Sequence, residues 1–392
     1  MIASLSALLA PHDPAALRAA IRERRPLHLR TGNADLFRAL LPWSTFNALL
    51  RSERLFDART RMVRRGRDLP REMWSYVGRD QKRVALPDQL QRFCQEGLSI
   101  ALNQVHEAVP AVGALVAMLE RTFPARVQTN LYASFGRDSA FRAHHDSHDV
   151  LVLHLHGTKR WFCYGRRADA DAGTPVVADD RLGPALWEEV LEPGDVLYLP
   201  RGEVHRAAVE GETSLHLTQG LMWPRGSDLF TWLAGGATAG AAFDDDVPVY
   251  AGAAEMADYD RTLRAALHRL VDSFDMAAFL AAFGRERPLH LPFNLGLSTA
   301  PEPNCRVQPM TFPDTPLPAE GGASFAFNGG TVTVDAPERA VLAALHAAGA
   351  QMVADLPALT GLDPDTVRDT VARLARRSLV LLTEGDDGAA SG

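Results

Sequence analysis

Lysine is almost missing from this chain: of 41 basic residues only Lys82 and Lys159 are lysines, and the rest are arginines. In a background so rich in Arg, Ala, Gly and Pro, a lysine calls for a reason that arginine could not satisfy. Cysteine is scarce as well. Cys94, Cys163 and Cys305 stand at distant, unpatterned positions, and an odd, unclustered set argues against a disulfide framework. No apolar run approaches the roughly 18 residues of a membrane helix. The opening MIASLSALLAPHDP lacks the basic stretch of an export signal and reads as a first helix. A cytoplasmic protein with no membrane partner is expected. The net charge of −7 gives no general reason to expect nucleic acid as a partner.

What is present describes an ordinary globular protein. The 392 residues are 46% hydrophobic and 23% charged, enough for two or three domains with well-buried cores. The first ~125 residues read as mostly helical and Arg-rich, with DPAALRAAIRERR as a short helix running into an extended RPLHL. Residues 59–73 carry six arginines against two acids. They read either as a solvated loop or as a basic rim that steers an acidic or extended substrate. From Gln128 to Met222 the pattern becomes short segments rich in β-branched and aromatic residues, punctuated by Gly, Pro and Asp turns. That predicts an antiparallel sandwich or barrel. Helical spacing returns after Trp223, in DLFTWLAGG and from Tyr259 to Phe283, before a Pro-rich connection near residues 300–322. The last part reads as three helices and a strand, LVLLTE, the layout of a winged helix. Asp363 is its N-cap and Pro364 its first helical residue.

The chemistry is concentrated in histidine. Seven of 13 histidines fall between His144 and His216. In FRAHHDSHDVLVLHLHGTKRW, positions i and i+2 of a strand share a face, so His144 and Asp146 present an imidazole and a carboxylate side by side. The string LEPGDVLYLPRGEVHRA brings His205 back beside them through a turn, a short apolar strand and a bend. Two imidazoles and one carboxylate are the set that holds Fe(II) while leaving three adjacent positions open. Those positions suit a bidentate 2-oxo acid and dioxygen. The acid's distal carboxylate needs a cation in a narrow pocket, a role for Lys159, a compact charge on a flexible stem. His145, His148, His154 and His156 read as surface or packing residues. His216 stands between core hydrogen bonding and lining the cavity, and Trp161 reads as core.

NLYASFGRDSAFRAHHDSHDVLVLHLHGTKRW, EPGDVLYLPRGEVHRA and SLHLTQGL together resemble the JmjC-type 2-oxoglutarate oxygenases, and within them the ribosomal oxygenase (cupin-4) branch. The resemblance implies an α+β chain with N-terminal helical elements. A double-stranded β-helix (cupin/JmjC) catalytic domain would cover residues 1–222, a helical dimerisation region 223–300 and a winged-helix domain 301–392. It implies Fe(II) on His144, Asp146 and His205, and 2-oxoglutarate on Lys159 with Asn130 and Tyr132 lining its pocket. Dioxygen would be consumed, and an amino-acid side chain of a protein or peptide hydroxylated by a homodimer. The charged loop SFGRDSAF before the HxD departs from the family. A ribosomally made precursor peptide therefore stands beside a ribosomal protein as substrate. The alternative function is a winged-helix nucleic-acid-binding regulator with a cupin sensor domain. Arg368, Arg373, Arg376 and Arg377 on the third helix would serve it, but Asp363, Asp365, Asp369 and the EGDDG tail offset them.

Overall fold

The computed structural model describes residue 2 and residues 4–64, 66–136, 141–167, 176–237, 241–286, 290, 293–299, 301–311, 324–328 and 330–384. Residues 137–140 of the SFGRDSAF loop, much of the Pro-rich stretch and the EGDDG tail beyond Glu384 lie outside them. Two compact units emerge. One comprises residues 1–222, 290–317 and 335–392, and the other residues 223–289 and 318–334. Among the described residues no helix is long and apolar enough to cross a membrane.

The first unit is built on one antiparallel sheet. Its strands are β1 (Leu27–Arg30), β2 (Thr60–Arg64) and β3 (Arg67–Asp68), then, past the separate hairpin of β4 (Ser75–Val77) and β5 (Arg83–Ala85), β6 (Ser99–Leu102) and β7 (Arg126–Phe135). β8 (Asp149–Arg166), β9 (Trp187–Leu191), β10 (Asp195–Leu199) and β11 (Glu203–Met222) complete it. The order is β1-β10-β8-β11-β7-β6-β2-β3, with β9 also on β8. The long strands β8 and β11 carry the winding. β8 pairs with β10 through Val150–Leu153 and with β9 through Lys159–Cys163. The hand-over falls at Gly157, whose φ is +68° and where a Cβ would stand 1.9 Å from the Thr213 carbonyl oxygen. Only glycine fits that crossing. The wound sheet and its flanking helices confirm the expected α+β cupin architecture.

Two buried carboxylates fix the turns around the sheet. Asp195, from the PGD string, accepts from the Glu192 amide at 3.0 Å and pairs with His28 Nε2 at 2.9 Å. Asp149 accepts from the Tyr198 hydroxyl and the Arg201 amide, both at 2.8 Å. The second pairing ties the bend before His205 to the start of β8.

Several local expectations are corrected. The basic stretch 59–73 is not a loop: β2 and β3 form a hairpin, and β2 pairs with β6 some 40 residues on. The helical run from Tyr259 to Phe283 is two helices, Ala253–Ser273 and Met276–Glu286, because Phe274 is extended. The Pro-rich connection contains β12 (Arg306–Pro309). In the second unit β13 (Ser324–Phe327) pairs with β14 (Gly330–Thr333), and Trp232 packs on Phe279 with ring centroids 5.8 Å apart. Back in the first unit, β12 is the central strand of a small sheet with β15 (Gln351–Met352) and β16 (Val380–Thr383). Helices Ala336–Ala348, Leu356–Thr360 and Pro364–Arg376 accompany it, the last capped by Asp363, which accepts from the Thr366 amide.

Candidate metal centre

His144 and Asp146 do not sit on a regular strand. His144 instead makes an isolated bridge with His205: each amide donates to the other's carbonyl, at 3.0 and 2.8 Å. The Gly202 amide donates to the Asp146 carbonyl at 3.0 Å, so the HxD segment is stitched to the start of β11 by backbone alone. The i, i+2 relation still holds, and His144, Asp146 and His205 bring three ligand atoms within 4.8 Å of one another.

The tautomers suit a metal. His144 Nδ1 lies 2.9 Å from the Arg142 carbonyl and His205 Nδ1 2.9 Å from the Glu203 carbonyl. A carbonyl can only accept, so both Nδ1 atoms carry the proton and both Nε2 lone pairs face the cluster. His205 Nε2 is 3.7 Å from Asp146 Oδ2. Burial, and then the neighbouring His144, pull the His205 pKa down to about 4, which keeps it the neutral imidazole a metal requires.

A cavity of about 390 Å³ opens beside the cluster. Lys159 lies in its wall, 5% exposed, and its Nζ donates to Ser134 Oγ at 3.0 Å. Among the described residues no carboxylate pairs with it, and burial lowers its pKa to about 7. Tyr132 is also in the wall, stacked on His216 with centroids 5.1 Å apart. Burial, and then the Asp146 charge, raise the Tyr132 pKa to about 12. Asn130, two residues before Tyr132 on β7, stands outside the wall and accepts from the Gln104 amide at 3.1 Å.

Other residues reach the cavity. Trp161 belongs to the core but also lines the wall, stacked near His205 at 5.8 Å. His216 lines the cavity, 3% exposed, and its Nδ1 has no partner among the described residues. His145 and His154 are buried, and His156 bonds the Leu41 carbonyl. Sequence reasoning passed over Ser134, which the alternation through Asn130 and Tyr132 could have found, because β7 turns every second side chain to this face. It also passed over Thr218, Phe141 and Arg142, and it placed Arg61 only within a basic stretch.

Residues 104–229 match the family model for the JmjC domain. The chain is 31% identical over 216 residues to ribosomal oxygenase 1 of Gallus gallus, covering 54% of this chain and 35% of that protein. It is 30% identical over 201 residues to the bifunctional lysine-specific demethylase and histidyl-hydroxylase NO66 of Aedes aegypti, covering 50% and 31%. The match thus spans about a third of each relative's length. In structure the chain resembles YcfD, a ribosomal oxygenase from Escherichia coli, solved in complex with cobalt and 2-oxoglutarate. The TM-score is 0.55 at 18% identity, with 95% of this chain and 99% of the other covered.

Proposed function

We propose, from the JmjC domain formed by residues 104–229, that this chain is an Fe(II)- and 2-oxoglutarate-dependent oxygenase that hydroxylates an amino-acid side chain of a protein. The observation that carries this reading is the pair of imidazoles, each fixed by a backbone carbonyl, converging with one carboxylate at the edge of a cavity. His144, Asp146 and His205 hold the iron through two Nε2 atoms and a carboxylate oxygen. Iron and 2-oxoglutarate would supply the oxidation: 2-oxoglutarate would lose its C1 carboxyl as CO2, with one atom of dioxygen ending in the succinate formed and the other in the substrate C–H bond. The protein's own residues do the rest. Lys159 neutralises the distal carboxylate of 2-oxoglutarate, with Ser134 holding the ammonium in place and Tyr132, backed by Asn130, closing that end. Val150, Val152, Ala207 and Trp161 keep the cavity wall apolar and exclude water.

The relatives named as ribosomal oxygenases favour a ribosomal protein as substrate. The nucleic-acid alternative is disfavoured by the helix meant to serve it. There Arg373 pairs with Asp335 and Glu338, Arg377 with Glu338, and Arg368 with Asp365. In this reading residues 301–392 carry a winged helix that makes protein contacts, with β12 in its sheet. The second unit mediates a homodimer through exposed Leu267, Val271, Phe274 and Leu280. Sedimentation equilibrium checks the dimer, and a purely monomeric chain at micromolar concentration rejects it. The unpaired cysteines suit a cytoplasmic location.

The test of the main reading is direct. The protein is loaded with Fe(II) and 2-oxoglutarate without oxygen, mixed with digested ribosomal protein, and then exposed to air. A gain of about 16 Da, one oxygen atom, on one peptide with stoichiometric succinate is expected. Succinate formation that stays at the no-enzyme level would overturn the proposal.

A further inference from the structure

The mouth of the cavity is charged in one direction. Among the described lining residues the sole carboxylate is Asp146, already in the metal cluster, whereas Lys159, Arg61 and Arg142 are cations. Lys159 is buried, but the two arginines are at the rim. Arg61, on β2, is half exposed; its Nε and Nη2 donate to Asp68 at 3.0 and 3.1 Å, which fixes the guanidinium. The same group lies 5.9 Å from the centre of the Phe141 ring, and Phe141 meets Tyr132 edge-on at 5.7 Å. Arg142 arrives from the other side, two residues before His144. Its aliphatic stem packs over Gly66 in the β2–β3 turn, and its charged end is exposed with no carboxylate partner among the described residues. Val63, Phe141 and the exposed Val176 fill the space between.

The geometry points to Arg61 and Arg142 as specificity-determining residues that dock an aspartate or glutamate side chain of the substrate polypeptide beside the residue entering the cavity. The inference rests on the oxygenase reading and narrows its substrate. A guanidinium presents five N–H donors in a plane that matches a carboxylate, and Arg61 has donors left after its pairing with Asp68. A lysine or arginine in that position would meet like charge at Arg142, which has no carboxylate partner among the described residues, and Asp68 is already engaged by Arg61. Two cations around an apolar mouth make a small anchor. A backbone-tracking nucleic-acid site needs an extended basic stripe, and Arg373 and Arg377 at the end of helix Pro364–Arg376 are engaged in ion pairs.

The experiment uses the full chain and three labelled dodecapeptide libraries, identical except that the flanks of the degenerate centre are Asp/Glu, Ser/Gly or Lys/Arg. Binding is read by fluorescence polarisation. The acidic library should bind about tenfold tighter than the neutral one, the scale of two partly exposed ion pairs. The margin should shrink as salt rises from 0.05 to 0.5 M. The R61E/R142E variant should transfer the preference to the basic library. A milder R61Q/R142Q variant should abolish it, and the salt series on the unaltered protein tests the same charge should the reversal unfold the chain. Equal binding of the three libraries, an acidic preference that persists in R61Q/R142Q, or displacement of the acidic library by an equimolar single-stranded DNA dodecamer would each overturn the inference. Binding is read without turnover, so the two ideas fail separately. A chain that prefers acidic peptides but never makes succinate sinks the oxygenase reading, and one that makes succinate without that preference sinks the rim.

Discussion

Replacing Asp146 with alanine is expected to leave a folded protein that no longer turns over 2-oxoglutarate. The separation is possible because the segment is held by its backbone. The Asp146 carbonyl keeps its bond from the Gly202 amide, and the reciprocal amides of His144 and His205 are untouched. The carboxylate itself is about one-third exposed, so its loss opens no cavity. What disappears is one of the three proposed ligands, in a set that would leave half the coordination sphere to small molecules. Removing a group that only orients a ligand costs about 10–100-fold in metal affinity or activity. Removing the ligand should cost more, at least about a thousandfold in turnover, with Fe(II) binding lost in titration calorimetry. His144→Ala should behave alike. Full succinate production by either variant, with an unchanged thermal unfolding curve, would refute the ligand assignment.

The second large effect is expected at Lys159. Lys159→Met keeps the length of the stem and removes the buried charge proposed to meet the distal carboxylate of 2-oxoglutarate. Truncating one member of a buried charge pair costs about 2–5 kcal/mol, so KM for 2-oxoglutarate should rise at least roughly thirtyfold. The pH dependence provides an independent reading. Burial lowers the Lys159 pKa to about 7, and the protonated form is the one that binds a dianion. As pH rises through about 7 the empty site loses its proton. KM of the unaltered enzyme should therefore be flat below that value and climb toward tenfold per unit above it. In Lys159→Met KM should be high and flat across the same window. A variant that matched the unaltered enzyme would place the carboxylate elsewhere.

Much of the site was legible because its signals are local. His144 and Asp146 needed only the two-residue period, His205 the turn–strand–bend that precedes it, and Lys159 its rarity. The failures share a different cause. The stretch 59–73 looked like a loop because its charge hides a weak apolar pattern, and its strand character is supplied by pairing Thr60–Val63 with Ser99–Leu102. Strand propensity depends on partners that a local window does not contain. Arg61 and Arg142 were invisible as a pair for the same reason: a turn glycine brings together residues about 80 positions apart. Ser134 could have been found, since it continues the alternation of Asn130 and Tyr132.

The first compact unit is discontinuous, and that bears on how it is made. Glu120 is fully buried in helix Pro110–Thr122, and its carboxylate accepts from the Val127 amide and from the His290 amide while pairing with His290 Nδ1. The Asn294 side chain in turn bonds the Val380 carbonyl and the Leu382 amide. A chain emerging from the ribosome thus lacks one of the partners of this buried carboxyl group until some 170 further residues have been synthesised. The unit closes only once β16 has been made, and a nascent chain halted before β16 would present chaperones with an incomplete body whose long strands β8 and β11 are already synthesised.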